Sequence, residues 1–217
     1  ARHFSKAGPA EIRSGSAPAF DFGAQSNIYI HGFELFGSCD STGVVANGSA
    51  CLRFVQNKVA DYTCGVWLAS VADATVSGNT LAYCGSNGIG AAACARLNIE
   101  GNNVQACDTG IRVAGPCTNA AVAGNIVESS GKAGIVFENG ASGSATKNAV
   151  HCGGAGIVAL TGATGVRIAN NIVYDSSQPA VLLTGAGGAC EVFNNTAIMC
   201  RDGIVLQATP GAAVRNN

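Results

Sequence analysis

The sequence predicts an all-β protein, a parallel β-helix solenoid of about nine coils in which each coil has 22–24 residues and three short strands. Two short motifs recur in phase along the chain, which indicates a repeat architecture. The segments around them alternate apolar and polar residues and are separated by Gly, Asn and Ser, which is typical of strands and turns. No segment keeps a helical apolar stripe for three turns.

The first motif, Gly-Ile-x-Val, forms the first strand of each coil. Its copies begin at residues 19, 43, 65, 88, 110, 134, 156, 180 and 203. Alternation along a strand places positions two and four of the motif in the core. The predicted inward pairs are Val66/Leu68, Ile111/Val113, Ile135/Phe137 and Val181/Leu183.

The second motif is a strand that ends at a recurring asparagine. Inward pairs predicted in this strand are Ile28/Ile30, Leu52/Phe54, Leu97/Ile99 and Val166/Ile168. The asparagines, spaced by 22–24 residues, are Asn57, Asn79, Asn102, Asn125, Asn148, Asn171, Asn195 and Asn217. We expect them to turn inward and to form an amide ladder between coils, as amides do in stacked β-structure.

The ten cysteines form no C-x-x-C pair and no Cys/His cluster, so a structural metal site is not expected. One column of small residues is predicted to be a buried stack of thiols and hydroxyls. Its members are Cys39, Cys84, Cys107, Ser130, Cys152, Ser176 and Cys200. Cys94 and Cys117 occupy the same slot of adjacent coils and are the best candidates for a disulfide.

Composition limits the range of partners. A formal net charge of −1 provides no basic surface for nucleic acid, and no apolar run approaches the roughly 18 residues that a membrane span needs. Residues 1–18 are predicted to form an N-terminal partial coil and residues 19–217 the β-helix. Because the chain stops in the middle of a coil, we expect the solenoid to continue, or to stack on another copy, beyond Asn217.

The pattern G-I-x-V … V-x-G-N-x-V-x-x-C resembles the single-stranded right-handed parallel β-helix repeats of the pectin lyase-like superfamily, over residues 19–217. Its members include polysaccharide lyases and hydrolases, epimerases, tail-spike depolymerases, adhesins and periplasmic accessory proteins. The resemblance implies a secreted, cell-surface or periplasmic protein that binds or processes a polysaccharide, above all an acidic one. Whether the chain is an enzyme stays open, because its turns lack the long loops of the resembled enzymes. An enzyme of this kind would be a polysaccharide lyase or a glycoside hydrolase.

The resembled enzymes place their substrate cleft over the first sheet, so the outward file of that sheet carries the candidate site. It reads Asp21, Val45, Trp67, Gly90, Arg112, Val136, Val158, Leu182 and Val205. The last four residues predict an exposed apolar stripe, which usually marks a partner or a covering segment. Such a stripe argues against catalysis over the C-terminal half of the chain.

The first candidate site combines Asp21, Asp40 and Asp61 as catalytic carboxylates with Trp67 as a platform for a sugar ring. Asp40 and Asp61 are also candidates for a calcium ion that bridges to a uronate, and no other cofactor is indicated. The alternative is that these aspartates cap turns and stay solvated.

The second candidate site lies around Arg112, with Lys132 as a base and Glu138 as a substrate contact. The alternative is a surface ion-pair network that includes Asp108. His31 and His151 have no acid at a recognisable spacing and are interpreted as surface residues.

Three functions follow from these observations. The first is a polysaccharide-binding or polysaccharide-processing module. The second is a structural rod of a filament, spike or adhesin, which assembles with copies of itself through open ends and the apolar stripe. The third is a periplasmic accessory or metal-handling protein.

Overall fold

The computed structural model describes the backbone of residues 2–217 and the side chains of residues 10–217. Within residues 2–217 the regular structure is parallel β-strand throughout, wound into a solenoid of about nine coils. The predicted fold class is therefore confirmed. In this part of the chain no helix is long and apolar enough to cross a membrane.

Each coil contributes one strand to each of three faces, which we call sheets 1, 2 and 3. Sheet 1 contains β2 (Phe20–Asp21), β4 (Thr42–Asn47), β7 (Cys64–Ala69), β10 (Asn87–Ala92), β13 (Thr109–Ala114), β16 (Ala133–Phe137), β19 (Ala155–Ala159), β22 (Pro179–Thr184) and β25 (Asp202–Gln207). Sheet 2 contains β5 (Leu52–Val55), β8 (Thr75–Ser77), β11 (Asn98–Glu100), β14 (Ala120–Ala123), β17 (Gly143–Thr146), β20 (Arg167–Ala169), β23 (Glu191–Phe193) and β26 (Ala213–Arg215). Sheet 3 contains β6 (Lys58–Ala60), β9 (Thr80–Ala82), β12 (Asn103–Gln105), β15 (Ile126–Ser130), β18 (Ala149–Cys152), β21 (Ile172–Tyr174) and β24 (Thr196–Ile198).

The N-terminal strands run across two faces. β3 (Ile28–Phe36) pairs with β5 of sheet 2 through its first half and with β6 of sheet 3 through its second half. β1 (Arg2–Arg13) lies parallel to β3 with a register shift between Ser5 and Ala10. The division between a partial coil and the β-helix at residue 18 stays a prediction.

The corner between sheets 2 and 3 needs only two residues, because the first of them is left-handed. Gly78, Gly101 and Gly124 have φ between 61° and 63° there, and Asn170 has φ 58°. Glycine and asparagine tolerate this conformation better than other residues. This requirement explains why Gly-Asn and Asn-Asn pairs recur in the sequence.

The second corner residue is the ladder asparagine, and its inward orientation is confirmed. Asn125 is fully buried. Its Nδ2 donates to the Ile99 carbonyl and to Asn148 Oδ1, each at 3.0 Å, and its Oδ1 accepts from the backbone N–H and the side-chain amide of Asn102. The same links continue from Asn57 to Asn217. Phe33, in the degenerate first copy, donates its backbone N–H to Asn57 Oδ1 at 2.9 Å.

The predicted core pairs of strands one and two are all buried. The glycine that begins the first motif has a steric role, since an added Cβ at Gly88, Gly110 or Gly134 would lie 2.3 Å from a valine Cγ1 of sheet 3. Sheets 1 and 3 approach each other closely at this corner. The glycine is what allows that approach.

The predicted column of thiols and hydroxyls is confirmed in the middle of the rod, where Cys84, Cys107 and Cys152 are buried. The prediction is wrong for Cys39, which is exposed with φ 65°. Tyr62 fills that interior position, because its ring lies directly against Gly37, where an added Cβ would be 2.5 Å from Tyr62 Cδ1. Cys200 is half-buried.

The candidate disulfide between Cys94 and Cys117 is not formed in the structure, where all ten cysteines are free. The Cys94 N–H donates to Cys117 Sγ at 3.2 Å. Each thiol donates to a backbone carbonyl, Cys94 to Ala92 at 3.4 Å and Cys117 to Ala114 at 3.1 Å. The pair therefore stacks between coils as two hydrogen-bonded thiols.

Burial predicts which thiols react. Iodoacetamide should alkylate Cys39 and Cys51, which are exposed, and should spare Cys94, Cys107 and Cys117 in the native protein. Peptide mass spectrometry measures the labelling, and the same reaction in guanidinium chloride, where all ten sites should react, is the control. Equal labelling of Cys39 and Cys107 under native conditions would contradict the burial of this column.

Candidate functional site

The outward file of sheet 1 follows the order predicted from the repeat. Backbone pairing joins Asp21 to Val45, Val45 to Trp67, Trp67 to Gly90 and Gly90 to Arg112. The file then continues through Val136, Val158, Leu182 and Val205. All these side chains stand on one face of nine parallel strands.

Trp67 lies flat on this face. A Cβ at Gly90 would be 2.6 Å from Trp67 Cε3, so the indole covers the backbone of Gly90 on the neighbouring strand. The missing side chain at position 90 is what allows this orientation. Trp67 stays half-buried, with one ring face against the sheet.

Two ion pairs lie further along the same face, where Arg112 stands two strands beyond Trp67. Arg112 Nε donates to Glu138 Oε1 at 2.7 Å, and the Glu138 side chain is 16% exposed. Lys132 pairs with Asp108. Arg112 and Lys132 are therefore each paired with a carboxylate, which agrees with the alternative prediction of a surface ion-pair network. Their predicted catalytic roles are not tested by this geometry.

The prediction of an exposed apolar stripe is wrong for Val136 and Val158, which are only 7% and 5% exposed. They form a small outer apolar cluster with Ala133 and Ala155, against which Leu160 and Leu182 pack. Only Leu182 and Val205 stay half-exposed on the stripe. The cluster is covered by its own neighbours on the sheet and needs no separate segment to bury it.

The ion pairs and the apolar cluster enclose a groove with a volume of about 300 Å³, which we call the sheet 1 groove. Arg112, Lys132, Glu138 and Thr109 form its polar end. Val136, Val158, Leu160 and Leu182 form its apolar floor. A groove with an apolar floor and a few polar groups is the usual form of a small-molecule site.

The three predicted catalytic aspartates lie apart from this groove. Asp21 accepts the Gly23 N–H at 3.0 Å and stands two strands from Trp67, which is about 10 Å at the usual strand spacing. Asp40 accepts from Ser38 Oγ at 3.5 Å, and Asp61 occupies a left-handed corner with φ 63°. Each aspartate belongs to a different coil.

In the part of the chain with described side chains, no group of three or more His, Cys, Asp and Glu residues is placed to hold a metal ion. Calcium binding at Asp40 and Asp61 and catalysis by the three aspartates stay predictions.

Sequence reasoning missed Cys64 and Asn87. These residues lie opposite each other on the neighbouring strands β7 and β10, three residues before Trp67 and Gly90. Burial raises the pKa of the Cys64 thiol to about 12, so the thiol stays protonated at neutral pH. Asn87 Nδ2 donates to Ser86 Oγ at 3.0 Å. The repeat could have predicted this second file of residues. Its members are Cys64, Asn87 and Thr109, and each of them stands three residues before a member of the outward file.

The two histidines lie on other faces. His31 Nε2 is 2.7 Å from Gln56 Oε1 on sheet 2. His151, on sheet 3, has its Nε2 3.4 Å from Asp175 Oδ2 and stacks on Tyr174 with ring centroids 5.0 Å apart. The expectation that His151 has no acid at a recognisable spacing is therefore wrong, because Asp175 reaches it from the next coil, while its half-exposed ring agrees with the interpretation as a surface residue.

The family described as "Right handed beta helix region" matches residues 20–173. The chain belongs to this family, and its coil is right-handed. No curated protein sequence matches the chain significantly.

Solved structures share the fold at low sequence identity. DFA-IIIase from Arthrobacter chlorophenolicus A6 in complex with GF2 aligns with a TM-score of 0.55 and 14% identity, over 86% of this chain and 54% of that protein. ORF18 of Geobacillus virus E2 aligns with a TM-score of 0.60 and 11% identity, over 97% and 52%. The Agl-KA catalytic domain aligns with a TM-score of 0.53 and 12% identity, over 88% and 53%. The chain spans about half the length of these proteins, and the likeness concerns the fold alone.

Proposed function

We propose that this chain is a carbohydrate-binding β-helix module whose ligand lies along the sheet 1 groove. The observation that carries the proposal is one outward file of sheet 1, which runs from the flat indole of Trp67 over Gly90 to Arg112 and Val136 in the groove, where an apolar floor has polar groups at one end. An aromatic face and aliphatic side chains suit the C–H faces of sugar rings, while the polar end suits their hydroxyls. The complex of DFA-IIIase with GF2 is a β-helix of the same kind with a bound ligand, which supports this assignment.

The charges favour a neutral glycan over the acidic one that the resemblance implied. Arg112 and Lys132 are each paired with a carboxylate, so the polar end of the groove has no net charge. A uronate that approached either cation would bring a second carboxylate beside Glu138 or Asp108, which like-charge repulsion opposes. Sugar hydroxyls can bond to the pairs without separating them.

The structural-rod alternative has less support, because Val136 and Val158 are buried and the apolar stripe is reduced to Leu182 and Val205. Secretion to the periplasm or cell surface remains a prediction. The proposal concerns binding, and no catalytic step is assigned to the groove.

Trp67 provides a direct test, because it is the single tryptophan of the chain. Titration with neutral fructan, neutral glucan and polygalacturonate oligosaccharides should change its fluorescence with the neutral sugars alone. A uronate response stronger than both neutral responses would contradict the neutral assignment. No response to any of the three would contradict the binding function.

A substitution in the floor tests the position of the ligand. Leu182→Asp places a charge in a half-exposed part of the groove and should lower the affinity for the responding sugar at least tenfold, which is about 1.4 kcal/mol. Ile172→Asp is the matched control, because Ile172 is 48% exposed on sheet 3. Equal affinity of the two variants would place the ligand elsewhere.

A further inference from the structure

A second depression lies on sheet 2, on a different face of the rod from the sheet 1 groove. It has a volume of about 390 Å³ and is formed by β3, β5, β8 and β11. Its polar lining residues are Tyr29, Arg53, Thr75, Ser77, Asn98 and Glu100. We call it the sheet 2 trench.

The trench owes its shape to the lengths of the outward side chains. Backbone pairing aligns Arg53, Thr75 and Asn98 in one file, and Ser77 and Glu100 in the next. The short side chains of β8 form the floor between the longer ones of β5 and β11. The trench therefore runs along β8, with a cation on one wall and a carboxylate on the other.

The charged groups of the two walls have no partners among the residues with described side chains. Arg53 and Glu100 are exposed, and neither forms an ion pair or a side-chain hydrogen bond there. Among the other cations with described side chains most are paired, as Arg96 is with Asp73 through two bonds of 2.5 and 2.7 Å. Arg53 and Glu100 therefore keep their hydrogen-bonding groups available to a ligand.

These groups select a class of ligand. A guanidinium only donates hydrogen bonds, a carboxylate only accepts them, and the hydroxyls of Thr75 and Ser77 and the Asn98 amide do both. Sugar hydroxyls also donate and accept, so their oxygens can accept from the guanidinium of Arg53 and their O–H groups can donate to Glu100. The opposite charges of Arg53 and Glu100 balance across the trench, so neither a uronate nor an amine gains a net attraction, whereas a neutral sugar can bond to both walls.

We propose that the sheet 2 trench is a second carbohydrate-binding site, which holds a neutral glycosyl unit outside the sheet 1 groove. This inference rests on the proposed function, because it assumes that the same polymer reaches both sites. A chain that occupies both gains affinity through the high effective concentration of its second segment. A polysaccharide should therefore bind more tightly than an oligosaccharide that fills one site.

The test uses the double variant Arg53→Met/Thr75→Val, with Arg167→Met on the same sheet outside the trench as the control. Calorimetry with neutral fructan and glucan oligosaccharides should give two sites on the native protein and one on the double variant. The affinity for the corresponding polymer should fall at least tenfold in the double variant only. Trp67 fluorescence should report unchanged oligosaccharide binding at the sheet 1 groove in both variants.

Each outcome separates the two sites. If the native protein has one binding site and Trp67 responds, the proposed second site in the sheet 2 trench is wrong and the proposed binding at the sheet 1 groove stands. A loss of heat in the double variant without any Trp67 response supports the trench and overturns the groove. Absence of binding by the native protein overturns both, and circular dichroism confirms that each variant keeps its β-structure.

Discussion

Asn125→Leu is expected to lower the free energy of unfolding by about 3–5 kcal/mol, the largest effect of a single substitution that we predict. The change removes four hydrogen bonds, two accepted from Asn102 and one donated each to Ile99 and Asn148. It also leaves the backbone N–H of Asn102 buried without an acceptor. Chemical denaturation followed by circular dichroism measures the loss.

The control for this substitution is Asn98→Leu in the preceding coil. Asn98 points outward from sheet 2 and is half-buried, so its replacement should cost less than about 1 kcal/mol. A loss for Asn125→Leu no greater than that of the control would mean that the ladder contributes little to stability.

Gly134→Ala is expected to destabilise the protein by about 1–3 kcal/mol through overpacking. The new Cβ would lie 2.3 Å from Val150 Cγ1 and 2.8 Å from the carbonyl oxygen of Gly156. Because the valine is one source of the clash, Gly134→Ala combined with Val150→Ala should lose less stability than the sum of the two single changes. Denaturation midpoints of the four proteins in this cycle test the coupling.

Gly85→Ala is the matched control for the glycine series, because an added Cβ at Gly85 meets no atom within 4 Å. Its stability should stay within about 0.5 kcal/mol of the native protein. Additive losses for Gly134→Ala and Val150→Ala would show that the glycine is not required by the contact with sheet 3.

The periodic part of the fold could be predicted because each coil repeats the same local rules. The spacing of Asn102, Asn125 and Asn148 predicts the ladder, and alternation predicts which residues face inward. The reason for the glycine at position 134 could not be predicted, since it depends on how closely sheet 3 approaches that corner. Cys39 was misplaced because Tyr62, from the next coil, fills the interior at that point.

The sequence predicts which residues of the candidate site point outward from sheet 1, but not how far each of them is buried or which partner it contacts. The repeat predicts that Val136 and Val158 point outward, yet their burial depends on how Leu160 and Leu182 fold over the sheet. The sequence could not specify that Arg112 pairs with Glu138, because Asp108 is a second carboxylate within one coil of Arg112. The pairing of His151 with Asp175 depends on the orientation of a side chain just beyond the end of the paired strand, which a repeat period does not specify.

The asparagine ladder also has an electrical direction along the axis of the rod. Every side-chain amide from Asn57 to Asn195 donates to the next asparagine along the chain, so all these amide dipoles point the same way along the axis. Backbone dipoles of a β-sheet largely cancel, and the amides therefore supply a net axial dipole. Its negative end lies at Asn57, where the Phe33 N–H donates to the terminal oxygen. Although the sheets alone have little polarity, the ladder in the interior therefore has a negative and a positive end.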